Sequence, residues 1–130
     1  MGHEDRRLRA LVVDDEEEDR LRIAEILKRE GFSVLEARNG REALDRIRGG
    51  DEFGIIVLDI LMPYVDGFEV MSHLKKKNPD VLARTVVASR LDLKDLSTFF
   101  PSCRVIQKPV NMSELSSIAR QVGARGARND

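Results

Sequence analysis

Ile55-Ile56-Val57-Leu58 is apolar at every position and stops abruptly at Asp59. A run this short and this unbroken reads as a strand covered on both faces, since a strand with one wet face alternates apolar and polar residues. Leu11-Val12-Val13 behaves the same way and stops at Asp14-Asp15. Strands buried on both faces belong to parallel sheets, whose neighbours are joined by crossovers that lay helices on the faces. The intervening sequence has the period this requires. From Asp19 to Glu30, Leu21, Ile23, Ala24, Ile26 and Leu27 form an apolar helical face among Arg, Lys and Glu, and Gly31 stands where a helix ends in a left-handed residue.

The alternation continues along the chain. Phe32 to Ala37 reads as a strand, Asn39-Gly40 as a turn, and Glu42 to Arg48 as a short helix broken by Gly49-Gly50. After Asp59 comes a loop containing Pro63 and Asp66-Gly67, then a helix from Phe68 to about Lys77 that Asn78-Pro79 closes. Thr85 to Ala88 is a fourth strand, Leu93 to Phe100 a short helix, and Arg104 to Ile106 a fifth strand ending at Lys108-Pro109. Asn111 with Glu114 forms a capping pair for a last helix. The expected fold is α/β: a five-stranded parallel sheet with helices on both faces, a (βα)5 doubly wound arrangement. At 130 residues one domain is expected, over 8–122, with an N-terminal extension at 1–7 and a flexible Gly/Ala/Arg-rich tail at 123–130.

Composition narrows the function classes. Lys plus Arg is 22 and Asp plus Glu is 23, so the formal net charge of −1 gives no basic footprint for direct nucleic-acid binding. No apolar run approaches the roughly 20 residues that span a bilayer, and no membrane association is expected. Cys103 is alone, which excludes an internal disulfide and a thiolate metal cage, and with a charged opening segment it predicts a cytoplasmic setting. The lone helical His73 supports no histidine metal site.

In open parallel α/β sheets the functional site lies beyond the carboxyl ends of the strands. Asp14-Asp15, Asp59, Ala88-Ser89 and Lys108 stand at those ends. Three carboxylates brought together repel one another unless a cation is bound, and an all-oxygen set suits octahedral Mg²⁺, with Mn²⁺ as a substitute. A metal held by carboxylates, an aspartate able to attack and a lysine for developing negative charge are the parts needed to receive a phosphoryl group.

Here the chain closely resembles the CheY-like receiver domain of two-component response regulators. Val12-Val13-Asp14-Asp15-Glu16, Val57-Leu58-Asp59-Ile60-Leu61-Met62-Pro63, Asp66-Gly67-Phe68-Glu69 and Lys108-Pro109-Val110 occur in the family's order. The resemblance implies that Asp59 is the phosphoacceptor, taking phosphate from a histidine kinase or phosphotransfer protein. It implies that Asp15 ligates Mg²⁺ directly, Asp14 through water, and Leu61 through its backbone carbonyl. Lys108 would pair with Asp59 and then with the phosphoryl oxygens, helped into place by a cis bond before Pro109. The output it implies is binding rather than turnover catalysis: a downstream protein, or a second copy of this chain, docking on the face of the fourth helix, fifth strand and fifth helix. The sequence alone leaves open whether the chain stands alone or is a piece of a longer regulator.

Two positions depart from the family pattern. The fourth strand of the family ends in Thr or Ser followed by a small residue. Ser89 is favoured as that hydroxyl, which puts Arg90 in the small position, while a register one residue earlier puts Ala88 in the hydroxyl's place. Val105, three before Lys108, stands where many members carry a switching Tyr or Phe. These departures motivate the alternative of a degenerate receiver that binds protein without phosphorylation. A haloacid-dehalogenase-type phosphohydrolase would need a second aspartate two residues after the nucleophile, where Leu61 stands. Neither phosphate-binding glycine motif of the nucleotide-binding folds is present. Glu17, Glu18 and Asp19 read as a solvated helix N-terminus, and Phe68, Phe99 and Phe100 as core.

Overall fold

The computed structural model describes residues 9–50, 52–62 and 67–128. The expected extension at 1–7 and the loop residues Pro63 and Asp66 lie outside that range. In chain order the elements are β1 (Arg9–Val13), α1 (Glu17–Arg29), β2 (Ser33–Ala37), α2 (Gly40–Arg48), β3 (Ile55–Leu58) and α3 (Gly67–Lys77). They continue with α4 (Pro79–Leu82), β4 (Thr85–Ser89), α5 (Leu93–Phe99), β5 (Arg104–Gln107) and α6 (Met112–Arg128). The strands form one sheet in the order β2-β1-β3-β4-β5, with every pairing parallel. The doubly wound α/β expectation therefore holds.

The period of two along each buried strand sorts its side chains between two cores. Leu11, Val13, Ile56, Leu58 and Val87 meet α2, α3 and α5 through Leu44, Ile47, Val70, Leu74 and Leu96. Ala10, Val12, Ile55, Val57, Val86, Ala88 and Ile106 meet α1 and α6 through Ile23, Leu27, Leu115 and Ala119. Gly31 ends α1 at φ 94°, and the amides of Gly31 and Phe32 donate to the carbonyls of Lys28 and Leu27 at 3.0 and 3.1 Å. That pairing is the Schellman closure a left-handed glycine permits.

The structure corrects several local expectations. Asn39-Gly40 is a helix start rather than a turn: Asn39 Oδ1 accepts the Glu42 amide at 2.8 Å, and Gly40 is the first helical residue. Asn78-Pro79 closes α3 at Lys77 as expected, but Pro79 also opens the short α4, where a proline's missing N–H costs no helical bond. The fourth and fifth helices of the sequence reading are thus α5 and α6. The backbone of α6 stays helical past Gly123 to Arg128, since the good helix formers Ala124, Arg125, Ala127 and Arg128 surround Gly126. On α1 the buried face is Arg20, Ile23, Ala24, Ile26 and Leu27, so Leu21 falls outside it and is 50% exposed. Of the three phenylalanines expected in the core, Phe100 is buried, whereas Phe68 and Phe99 are exposed and meet edge-to-face at 6.4 Å.

Candidate functional site at the carboxyl edge of the sheet

The sheet ladder carries one residue past the end of three strands. The Asp14 amide donates to the Ala37 carbonyl at 3.1 Å, Asp59 to Val13 at 2.9 Å and Lys108 to Ser89 at 2.8 Å. Asp14, Asp59 and Lys108 are therefore anchored by the same bonds that hold the strands, and all three are buried. The Lys108–Pro109 bond is cis, as the resemblance implied.

Lys108 Nζ lies 2.5 Å from Asp14 Oδ2, 3.3 Å from Asp59 Oδ2 and 3.3 Å from Asp19 Oδ2. The ammonium donates to the two buried aspartates, Asp14 and Asp59, and forms an ion pair with Asp19. The second oxygens of the two buried aspartates turn back on their own chain: Asp14 Oδ1 accepts the Glu16 amide at 2.9 Å and Asp59 Oδ1 accepts the Leu61 amide at 3.2 Å. Each carboxylate is fixed from both sides, which sets its rotamer before anything binds.

One ammonium against this many carboxylates leaves the cluster short of positive charge. Burial pushes the Asp59 carboxyl up to about 6; Lys108 opposes the shift and the neighbouring Asp14 adds to it. Burial works to lower the Lys108 ammonium, but the Asp14 hydrogen bond and the surrounding carboxylates outweigh it and hold it above its ordinary value. Carboxylate oxygens of Asp14, Asp15 and Asp59 lie within 4.8 Å of one another, with Asp15 exposed at the rim. Clustered hard oxygens that lack countercharge suit a hydrated divalent cation of the Mg²⁺ type.

Ser89 ends β4 and is buried; its Oγ accepts the Leu91 amide at 3.3 Å and, among the described residues, bonds none of Asp14, Asp59 and Lys108. Leu61 follows the site with its amide on Asp59 and its side chain exposed. Val105 is partly buried against the α2-α3-α5 core. Gly67 opens α3 so close to β3 that a Cβ there would stand 2.5 Å from the Asp59 carbonyl oxygen and 2.6 Å from Ile60 Cα.

Two residues of the site, Asp19 and Arg20, escape the sequence reading, as do the partners of Arg90. Asp19, taken there for a solvated helix start, reaches in to Lys108. Arg20 is buried, donating to the Asp14 carbonyl at 3.0 Å and to Glu36 at 2.9 Å, so it ties the start of the acidic loop to α1 and β2. Arg90 pairs with Asp19 at 2.8 Å and with Glu16 at 3.4 Å. The acidic run beside a helix start was the visible signal for Asp19; Arg90 stands out as a large residue in the small position after Ser89, but its partners do not, and nothing local marks Arg20.

Comparison with known proteins agrees with this geometry. The family profile described as the response regulator receiver domain matches residues 10–120. The transcriptional regulatory protein TcrA of Mycobacterium tuberculosis is 33% identical over 124 residues, covering 92% of this chain and 47% of TcrA. The response regulator MprA of Mycolicibacterium vanbaalenii is 34% identical over 128 residues, covering 95% of this chain and 53% of MprA. The chain spans about half the length of these curated relatives. Among solved structures, the response regulator protein TrrA from Thermotoga maritima, in complex with Mg²⁺-BeF, matches at TM-score 0.75 and 32% identity, covering 88% of this chain and 97% of TrrA. A CheY-like receiver domain protein from Methanospirillum hungatei shares the fold at TM-score 0.81 and 24% identity, covering 94% of this chain and 98% of its own. A strand-end aspartate cluster gripped by a lysine on a five-stranded doubly wound sheet, together with these matches, places the chain in the response regulator receiver domain family.

Proposed function

We propose that the chain is a phosphorylation-controlled signalling switch that accepts a phosphoryl group on Asp59 in a Mg²⁺-dependent reaction and thereby alters protein binding. The observation that carries this reading is the buried contact of Lys108 with Asp14 and Asp59 at the carboxyl edge of the sheet. The donor is a phosphohistidine of a histidine kinase or phosphotransfer protein. An Asp59 carboxylate oxygen bonds phosphorus as the phosphorus–nitrogen bond breaks, and the electron pair of that bond stays on the imidazole. Asp14, Asp15 and Asp59, with the Leu61 carbonyl, hold the Mg²⁺ or Mn²⁺. When bound, the ion supplies positive charge opposite the phosphoryl oxygens.

Lys108 moves from the free carboxylate to the oxygens of the new group, and Ser89 is the strand-four hydroxyl that turns toward them. The shift passes through Lys108 into β5 and α6 and through Ser89 into α5, so the face of α5, β5 and α6 carries the output to a downstream protein or a second copy of the chain. Among the described residues no helix is long and apolar enough to cross a membrane, which fits a cytoplasmic setting. The chain is a phosphoacceptor rather than a turnover enzyme.

Intact mass after incubation with acetyl phosphate tests this. A Mg²⁺-dependent gain of about 80 Da, one phosphoryl group, is expected in wild type and lost in Asp59→Asn. No gain, with no binding of a phosphoryl mimic, would instead favour a phosphorylation-independent binding module.

A further inference from the structure

Arg90 stands where the family resemblance implies a small residue, and the structure gives its guanidinium a definite seat. It holds Asp19 at 2.8 Å and Glu16 at 3.4 Å, both in the segment that follows β1, while Arg90 itself follows β4. In the sheet order β2-β1-β3-β4-β5 the strand between β1 and β4 is β3, and β3 runs out into Asp59. The bridge therefore joins the ends of β4 and β1, on either side of β3, and is linked to Asp59 through Lys108, whose Nζ lies 3.3 Å from both Asp19 Oδ2 and Asp59 Oδ2.

The contacts are layered from solvent inward. Side-chain exposure falls from 55% at Arg90 to 20% at Asp19 and 1% at Lys108 and Asp14, and each layer is ion-paired to the next. Asp19 is the joint, since the same Oδ2 takes the guanidinium above and the ammonium below. Arg90 thereby also occupies Glu16 and Asp19, whose carboxylates form a second acidic trio with Asp14.

We propose that Arg90 is a gating residue, whose bridge to Glu16 and Asp19 closes the mouth over Asp59 and slows the arrival of water at an aspartyl phosphate formed there. The inference rests on the reading of Asp59 as phosphoacceptor. In the loss it controls, a water oxygen bonds phosphorus as the bond from phosphorus to the Asp59 oxygen breaks. The electron pair returns to the carboxylate, and the water's proton departs as inorganic phosphate is released. A small residue at this position makes no such bridge. The bridge is an exposed pair, so its removal leaves the fold intact and its strength falls with added salt.

The test loads wild type, Arg90→Ala and Arg90→Lys with acetyl phosphate and Mg²⁺, removes the donor, and follows the decay of the added mass. Arg90→Ala is expected to lose the group about fivefold faster, the rate equivalent of one exposed ion pair, with Arg90→Lys between it and wild type. Added salt should accelerate the loss in wild type and leave Arg90→Ala unmoved, a response that a merely structural role would not give. An equal or slower loss in Arg90→Ala overturns the gate while the phosphoacceptor reading stands. No mass gain in wild type, or a gain that survives Asp59→Asn, overturns that reading and the gate with it.

Discussion

Asp59 is 5% exposed and lies beside a second buried carboxylate, so ionising it works against both desolvation and Asp14. Its carboxyl is pushed from 3.8 to about 6, and a raised acid binds its proton more tightly in the fold than in the unfolded chain. The stability this contributes is full below the unfolded value and disappears as pH rises through the folded one. In metal-free protein, wild type should therefore lose stability relative to Asp59→Asn between about pH 4 and pH 6, by up to about 3 kcal/mol. Urea midpoints of the two proteins across that range check it, and a constant difference would contradict the electrostatic picture. Lys108→Ala acts oppositely, leaving Asp14 and Asp59 facing each other, and should cost about 3 kcal/mol at neutral pH in the same assay. Asp14 and Asp59 were legible because each ends an apolar run, and Lys108 because it stands before Pro109 in the motif that closes the fifth strand. Asp19, Arg20 and the partners of Arg90 were not, because an acidic or basic residue on a helix or loop looks the same whether it faces water or a partner; Arg90 meets Asp19 across 71 positions of sequence.

The three inner strands, β1, β3 and β4, could be read almost to the residue, since burial on both faces forces apolar runs that little else produces. Helix ends were less legible because their chemistry serves more than one structure. Asn-Gly signals a hairpin turn but here caps α2, and Pro79 both stops α3 and starts α4. Gly67 was readable as a turn residue, yet its requirement is space, because α3 begins against Asp59 and Ile60, the two residues that follow β3. Gly67→Ala should push α3 away from β3, costing about 1–3 kcal/mol and lowering the rate of phosphoryl uptake together with stability. Asn39→Ala gives the contrasting case. It removes the α2 cap far from the site and should cost about 1 kcal/mol in a denaturant titration with phosphoryl uptake unchanged. If both variants lowered uptake alike, the close approach at Gly67 would carry no special weight.

The acidic edge exists only while the whole sheet does. Asp14 and Asp15 extend β1, Asp59 extends β3, and Lys108 reaches them from β5 across β4, so the cluster needs four of the five strands in register. A cation bound by the native cluster and not by the unfolded chain stabilises the entire fold by mass action. At a free Mg²⁺ concentration one hundredfold above its dissociation constant, the gain should be about 2.7 kcal/mol, reversed by chelation. Asp15 is exposed and, among the described residues, has no ion pair, so Asp15→Ala should leave the metal-free stability nearly unchanged while removing most of the Mg²⁺-dependent gain. Because the ion also favours the ionised form of Asp59, its binding near pH 6 should release about half a proton per ion, and calorimetry in buffers of different ionisation enthalpy would count it. Stabilisation without proton release would mean that the ion sits on Glu16, Asp19 and Asp14, where Arg90 already stands, and not beside Asp59.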